Sequence, residues 1–321
     1  MTLSIIVYEN RDPSPTLERW IIELLRSIDS THFRGLEIIF VIERSTALLS
    51  WLQSQAVNSS SEVKLVFTNE RVGLSGGRNI GVLNSFGDYI AFVDDDEVVD
   101  PTWADAVLST LADPRVIAVT GPSVPLSEVG DLDWFPREFE WLLSCTGWTS
   151  YVDGQEIRSA YGNNMAFRRS AFKGGRGFLT SMGLKAGDRG SWRETGAEDV
   201  EFCMRIRRQT GGKIVYCEGM RVRHRVTSSR ISAKYVAQRA FWVGRGRRTL
   251  QLVSSEDSHH VLDLEWSLFR RSIFSFVFNI LPSVFKDWRK GGKALRIAIL
   301  AFVFAGIGYL FETLSVRGHR G

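Results

Sequence analysis

Cysteine is scarce in this chain. Its 321 residues hold three, Cys145, Cys203 and Cys217, an odd number at wide spacing with no CxxC and no Cys/His cluster. That pattern argues against a zinc site and a disulfide framework, and leaves buried thiols on the reducing side of a membrane as the expectation. An export signal is also missing. The N-terminal MTLSIIVYEN has a short apolar run, no basic flank and an early Glu9, which reads as a buried strand. Neither a P-loop nor a dinucleotide fingerprint occurs. The apolar share of 44% and charged share of 24% are those of a chain that folds, which excludes a disordered tail, a collagen and a disulfide miniprotein. At roughly 100–200 residues per domain, the length fits one large domain, or one domain with an appendage.

The net charge of +4 conceals a split. Residues 1–220 hold 22 Lys+Arg against 30 Asp+Glu, and residues 221–321 hold 18 against 6. The basic end is expected to meet something anionic: lipid headgroups, phosphates or nucleic acid. Two apolar stretches lie there, Ser272 to Phe285 and Ile297 to Phe311, against the roughly 17–25 residues a span requires. Arg270 and Arg271 precede the first, five basic residues from Lys286 to Arg296 separate the two, and Arg317 and Arg320 follow the second. Two spans would set that basic linker on the far side, against the positive-inside tendency. One span with an interfacial or re-entrant helix, two spans, and two surface helices each place the chain on a membrane; a pair of buried core helices is the plainer alternative, against which the basic clusters and the run of Phe argue. Residues 230–253 mix Arg and Lys with Tyr, Phe, Trp and Leu, as a basic amphipathic helix at a membrane surface does.

The front alternates strands and helices: LSIIVY, then LERWIIELLRSI with helical apolar spacing, LEIIFVI, STALLSWLQSQAV, VKLVFTN, a Gly-rich helix entry, DYIAFVDDD and VIAVTGPSV. This order predicts a mainly parallel α/β sheet with its chemistry at the carboxyl ends of the strands. Asp94-Asp95-Asp96 stands at such an end. Three adjacent carboxylates repel unless a cation neutralises them, and hard oxygen ligands suit Mg2+ or Mn2+ shared with substrate phosphates; a solvated acidic turn is the plainer alternative. Gly73 to Asn79, GLSGGRN, sets Arg78 in a Gly-rich loop, free to pair with phosphate or with the acidic strand end. Glu198-Asp199 opens an amphipathic helix, where carboxylates cap the dipole or serve as a general base.

In this order, the three motifs resemble those of the inverting family-2 glycosyltransferases with the GT-A fold, over roughly residues 3–228. Asn163-Asn164-Met165-Ala166-Phe167-Arg168-Arg169 is similar to a further stretch of that family. The resemblance implies that Asp94 and Asp96 hold the divalent ion bridging the donor diphosphate, with His224 as a further ligand. It implies that Asp95 lies beside the sugar or ribose, and that Asp199, with Glu198 beside it, takes the proton of the acceptor hydroxyl. Two positions depart from the family. The first strand ends in Val7-Tyr8-Glu9-Asn10-Arg11, and the second in Ile42-Glu43-Arg44-Ser45. Glu9 and Glu43 are therefore expected to contact the donor nucleotide, with the base undetermined. Gln238-Arg239-Ala240-Phe241-Trp242 looks like the Gln-x-x-Arg-Trp motif of the cellulose-synthase-like branch, with Phe241 in place of its Arg. The likeness implies an acceptor or gating role for Gln238, Arg239 and Trp242.

The expected organisation is a GT-A catalytic domain over 1–228, a basic interfacial region over 229–268 and membrane-anchoring helices over 269–321. The expected reaction is transfer of a sugar from a nucleotide donor to a hydroxyl of a lipid-linked glycan at the cell membrane, with the catalytic domain on the cytoplasmic side. A base is needed for a hydroxyl acceptor and not for a phosphate, which is already ionised. Asp133 to Trp141, DWFPREFEW, offers either a stacking surface for the acceptor sugar or interfacial aromatic packing. Similar archaeal enzymes extend lipid-linked glycans for protein N-glycosylation. Mannose from GDP-mannose is the first expectation, and glucose or glucuronate from a UDP donor the second. A processive polysaccharide synthase is the further alternative; it needs a channel that one or two spans do not build unless the protein oligomerises. Nucleic-acid binding would be salt-sensitive and independent of Asp96 and Asp199, and no nucleic-acid partner is expected.

Overall fold

A computed structural model describes residues 2–31, 33, 35–56, 61–182, 197–253 and 261–317. Glu194 to Gly196, part of the motif before Glu198, and Arg320 lie outside them. The chain forms two compact units: Met1–Ser123 with Tyr151–Glu194 and Glu198–His224, and Val124–Ser150 with Thr195–Ala197 and Arg225–Gly321.

The first unit begins as the alternation predicts. Strand β1 (Leu3–Glu9) is followed by α1 (Pro15–Asp29), β2 (Leu36–Glu43), α2 (Thr46–Ala56), β3 (Glu62–Thr68), α3 (Gly73–Leu83) and β4 (Tyr89–Val93). Along the chain then come β5 (Glu97–Val99), α4 (Trp103–Ala112), β6 (Val116–Thr120), β7 (Ser123–Ser127), β8 (Asn164–Arg168), α5 (Glu198–Thr210), β9 (Lys213–Tyr216) and β10 (Val222–Val226), of which β7 beyond Ser123 and β10 beyond His224 belong to the second unit. Ser14 caps α1, its hydroxyl accepting from Leu17 N at 3.2 Å, and Pro15 opens the helix with φ already set. Leu17, Trp20, Ile21, Leu24, Leu25 and Ile28 then form its buried face. β1 and β4 are apolar on both faces because helices cover both sides of the sheet.

The sheet order is β3-β2-β1-β4-β8-β6-β9. All neighbours pair parallel except β8, which runs antiparallel to β4 and β6. The sheet is therefore mixed, with one reversed strand in a parallel frame. The expected strand over VIAVTGPSV is cut at Gly121, where an added Cβ would lie 2.1 Å from the Met220 carbonyl oxygen. The chain builds β2 and β3 on one side of β1 and returns to the other side with β4. The topological switch point thus falls between the carboxyl ends of β1 and β4, where a crevice opens in such sheets.

The rest of the second unit is mainly helical: α6 (Ala233–Val253), α7 (Asp263–Ser275), a π-turn at Phe276–Ile280, α8 (Leu281–Lys286) and α9 (Trp288–Arg317). The π-turn precedes Pro282, which lacks the N–H a continuous α-helix would require. Phe135, Phe139, Leu142 and Leu143, on or beside the short 3-10 helix Arg137–Leu143, pack with Val236, Ala240, Ile280, Ile297 and Ala301. The aromatic segment read from the sequence contributes its Phe rings to this core. Two helical stretches, Asp263–Lys286 and Trp288–Ser315, are long and apolar enough to cross a membrane. The first exceeds the apolar run seen in sequence because the helix continues upstream through Arg270 and Arg271.

Candidate active site

At the switch point the structure joins two of the expected donor-contacting carboxylates through an arginine. Glu9 ends β1 and Asp95 follows β4, and Arg11 bridges them. Its Nη2 lies 2.6 Å from Glu9 and 2.5 Å from Asp95. Arg11 Nε also donates to Glu9 Oε1 at 2.9 Å, completing a bidentate pair. The Glu9 carboxylate further accepts from the backbone N–H groups of Asn10 and Arg11, at 2.8 Å each, and so shapes the turn that aims the guanidinium. Burial pushes the Asp95 carboxyl well above the usual range, the charges of Glu9 and Asp96 push it further, and Arg11 opposes them. Burial lowers the Arg11 pKa, but its hydrogen bond to Glu9 and the nearby acids raise it more. Arg11 was not among the expected site residues; its only signal was the departure of Val7 to Arg11 from the family pattern.

A second group forms where β5 pairs with β10. The antiparallel register sets His224 opposite Glu97. Asp96, Glu97 and His224 are buried, and one ligand atom from each lies within 4.8 Å of the others. His224 Nε2 is 3.5 Å from Asp96 Oδ2. Asn163 Nδ2 donates to Glu97 Oε1 at 2.6 Å and to Ser123 Oγ at 3.0 Å, orienting the carboxylate from behind. Two carboxylates and an imidazole suit a divalent cation of the Mg2+ or Mn2+ class, and the residues present fit one. The expected ligands Asp96 and His224 are in this group. Asp94 is not; its carbonyl accepts from Glu97 N at 3.3 Å, closing the turn that swings Glu97 inward. Glu97 directly follows the acidic triplet, but only the pairing with β10 shows its place.

The third group surrounds the start of α5. Arg78, 3% exposed, donates from Nη1 to Glu198 Oε1 at 2.9 Å and from Nη2 to the Gly162 carbonyl at 2.7 Å. The Gly162 N–H donates to Asp199 Oδ2 at 3.0 Å, and Val200 N–H donates to Asp199 Oδ1 at 2.8 Å. Arg78 therefore braces both Glu198 and the peptide segment that holds Asp199. Burial and the Asp199 charge raise the Glu198 pKa, with Arg78 opposing. Just before the pair, Ala197 takes φ 79°, a left-handed conformation that a residue with a Cβ adopts at a cost of order 1–3 kcal/mol.

The Gly-rich helix entry has a packing role. A Cβ on Gly77 would lie 2.0 Å from the Tyr8 ring, and one on Gly81 2.4 Å from Ile6, so glycine lets α3 press onto β1. Glu43 serves this junction. Its Oε2 accepts from Tyr8 OH at 2.8 Å, Val72 N at 2.9 Å and Gly73 N at 2.8 Å, placing a carboxylate at the amino end of α3. Asn79 exchanges two hydrogen bonds with the Phe178 backbone, at 2.9 and 2.8 Å. Gln238, Arg239 and Trp242 lie on α6 of the helical unit. Gln238 is exposed, Arg239 Nη2 is 3.4 Å from Ser144 Oγ, and Trp242 lies under the Arg245 guanidinium at 5.2 Å.

Comparison with known proteins gives a consistent picture. The family model described as Glycosyl transferase family 2 matches residues 4–175. A glucosyl-dolichyl phosphate glucuronosyltransferase of Haloferax volcanii is 28% identical over 297 residues, covering 91% of both chains. The succinoglycan biosynthesis protein ExoM of Rhizobium meliloti is 30% identical over 243 residues, 73% of this chain and 70% of its own. Among solved structures, the mannosyltransferase PcManGT from Pyrobaculum calidifontis, in complex with GDP-Man and Mn2+, superposes with TM-score 0.60. It is 18% identical and the match covers 97% of this chain and 87% of that one, a likeness of fold.

Proposed function

The chain belongs to glycosyl transferase family 2 and has the GT-A fold of a glycosyltransferase, and on that premise we propose that it moves a glucuronosyl residue from a UDP-linked donor to a hydroxyl of a sugar carried on dolichyl or polyprenyl phosphate. One observation carries this reading: the likeness to the glucuronosyltransferase runs over 91% of both chains and so takes in the C-terminal helices as well as the sheet. The mannosyl expectation has only the 18% identical structure behind it, and that likeness speaks for the fold. A membrane-bound acceptor also agrees with the two apolar helices, and a nucleotide donor with a catalytic unit on the cytoplasmic side.

The chemistry follows from the three groups of the sheet unit. Asp96, Glu97 and His224 would hold the divalent cation, which supplies a counter-charge to the departing diphosphate. The imidazole in that donor set favours Mn2+ over Mg2+. Glu9, Arg11 and Asp95 form the wall of the crevice at the switch point, where the nucleotide sugar binds. Asp199 takes the proton from the acceptor hydroxyl as the oxygen forms a bond to the anomeric carbon. The bond from that carbon to the diphosphate oxygen breaks, the nucleoside diphosphate leaves, and the configuration inverts. Asp199 is held in place by the Gly162 and Val200 N–H groups.

The test is a set of radiolabelled donors, UDP-glucuronate, UDP-glucose and GDP-mannose, each incubated with the full-length protein, Mn2+ and glucosyl-dolichyl phosphate. Label from UDP-glucuronate in the lipid fraction is the expected result. Label from GDP-mannose alone would replace the glucuronosyl reading with the mannosyl one.

A further inference from the structure

The helical unit carries an apolar face that its own packing leaves uncovered. Between Trp266 and Phe285 it runs through Phe269, Phe274 and Phe278, with Phe285 92% exposed. On α9 it runs through Val303, Ile307 and Leu310. The opposite face of α9 is closed. Ala294, Ile297, Ala298, Ala301 and, near the end, Glu312 are buried.

α6 does much of that closing, and it is pressed onto α9 with no slack. An added Cβ on Gly244 would lie 2.0 Å from the Ala305 carbonyl oxygen, and one on Gly308 2.0 Å from that of Phe241. Arg245 Nη2 is 2.6 Å from Glu312, and Tyr309 OH donates to Gln251 at 2.7 Å. Wherever α9 goes, α6 goes too, and α6 carries Arg239, Arg245, Arg247 and Arg248. A crossing by α9 would draw those arginines into hydrocarbon, where each is expensive. A crossing by α7 and α8 meets a similar obstacle. Arg270 and Arg271 are exposed about 10 Å in from Asp263 along the helix, beside rings that would face lipid.

The borders of the apolar face are basic and aromatic. Lys286, Arg289 and Lys290 are exposed at the corner between α8 and α9, beside Trp288, itself 71% exposed. Cations and indole rings around an apolar strip match an interface of anionic headgroups over acyl chains.

We propose that α7, α8 and α9 lie within one leaflet of an anionic bilayer, with the apolar face toward the acyl chains and the Lys286–Lys290 corner among the headgroups, so that neither long helix crosses. The proposal rests on the helical unit alone and stands or falls separately from the identity of the sugar.

The experiment uses the full-length protein added to sealed vesicles of phosphatidylcholine and phosphatidylglycerol, and a membrane-impermeant maleimide. Val152→Cys marks the side of the catalytic unit, Asp287→Cys the corner and Ser315→Cys the end of α9. The expected result is that all three react from outside and detergent adds nothing. Protection of Asp287→Cys alone would show two crossings, and protection of Ser315→Cys alone one crossing by α9; either overturns the proposal. Joint Lys286→Glu, Arg289→Glu and Lys290→Glu substitution is expected to weaken binding to these vesicles at least tenfold and to leave binding to pure phosphatidylcholine unchanged. Undiminished binding would remove the headgroup contact. A dimer that binds neither vesicle would assign the face to a second copy of the chain and overturn the proposal as well.

Discussion

Arg78 with Glu198 in the sheet unit, and Arg245 with Glu312 in the helical unit, are the same two side chains in similar geometry. The first pair meets at 2.9 Å with its side chains 4% and 8% exposed, the second at 2.6 Å with 6% and 11%. Their surroundings differ. Arg78 spends its second nitrogen on the Gly162 carbonyl, one peptide from the N–H that holds Asp199. Arg245 lies against Trp242 and Phe311, at 5.2 and 5.1 Å, and Thr249 adds a hydrogen bond to Glu312 at 3.2 Å. The first pair is wired to a group proposed to move a proton, and the second only fastens helices. A buried pair by itself is weak evidence for stability or for function; what else its members touch separates the two.

The contrast is sharpest beside the first pair, at Asp199. Asp199→Asn keeps the size and shape of the side chain, but its one amide oxygen can accept from only one of the Gly162 and Val200 N–H groups, and it cannot take the acceptor proton. Turnover is expected to fall by about 10²–10⁴-fold, with donor affinity by calorimetry unchanged. Full activity in the variant would remove Asp199 as the base. Next in size comes the second pair. Arg245→Leu leaves Glu312 buried without its partner, a loss of about 3–5 kcal/mol in unfolding by urea. Arg245→Leu with Glu312→Leu is expected to recover most of that loss, because two apolar side chains need no counter-charge. Were the double variant no better than the single, the pair would have a role beyond fastening. Smaller again is Arg78→Lys. A lysine reaches one of the two partners and lets the other drift, and a misplacement near 1 Å lowers kcat by up to about 10²-fold. The donor KM is expected to stay within about twofold. A raised KM with kcat intact would instead return Arg78 to donor binding.

Much of this arrangement is legible in the residues, and the rest is hidden for identifiable reasons. Continuous apolar runs mark β1, β2 and β4, and a helical stripe marks α1, because each reports burial directly. The acidic triplet announces itself at a strand end. The direction of β8 does not show, since Asn164 to Arg168 reads as a strand either way. The meeting of Arg11 with Asp95, 84 positions apart, depends on β1 and β4 being neighbours at the switch point. The place of Glu97 depends on a register with β10. The segment Gly73 to Asn79 looked like a loop that could approach a nucleotide, and only the Tyr8 ring beneath Gly77 shows why glycine is required there. Glu43 looked like a nucleotide contact at a strand end, and the three donors on its Oε2 give it a capping task that spacing alone does not reveal.

The finest test of the contrast between the two pairs is a pH series on Glu198→Gln. Burial raises the Glu198 pKa, with the Asp199 charge adding and Arg78 opposing. A carboxyl whose folded pKa lies above its unfolded one is penalised in the folded state when ionised. That penalty is complete above the folded pKa, shrinks as pH falls through it, and vanishes below the ordinary value of 4.5. Glutamine carries no such penalty and can still accept from Arg78. The Tm of the wild-type protein is therefore expected to gain on that of Glu198→Gln as pH falls from 8 toward about 4.5, by a few degrees at most. A Tm difference that stays flat across the series would mean that Arg78 fully offsets the burial, and the first pair would then be as self-contained as the second.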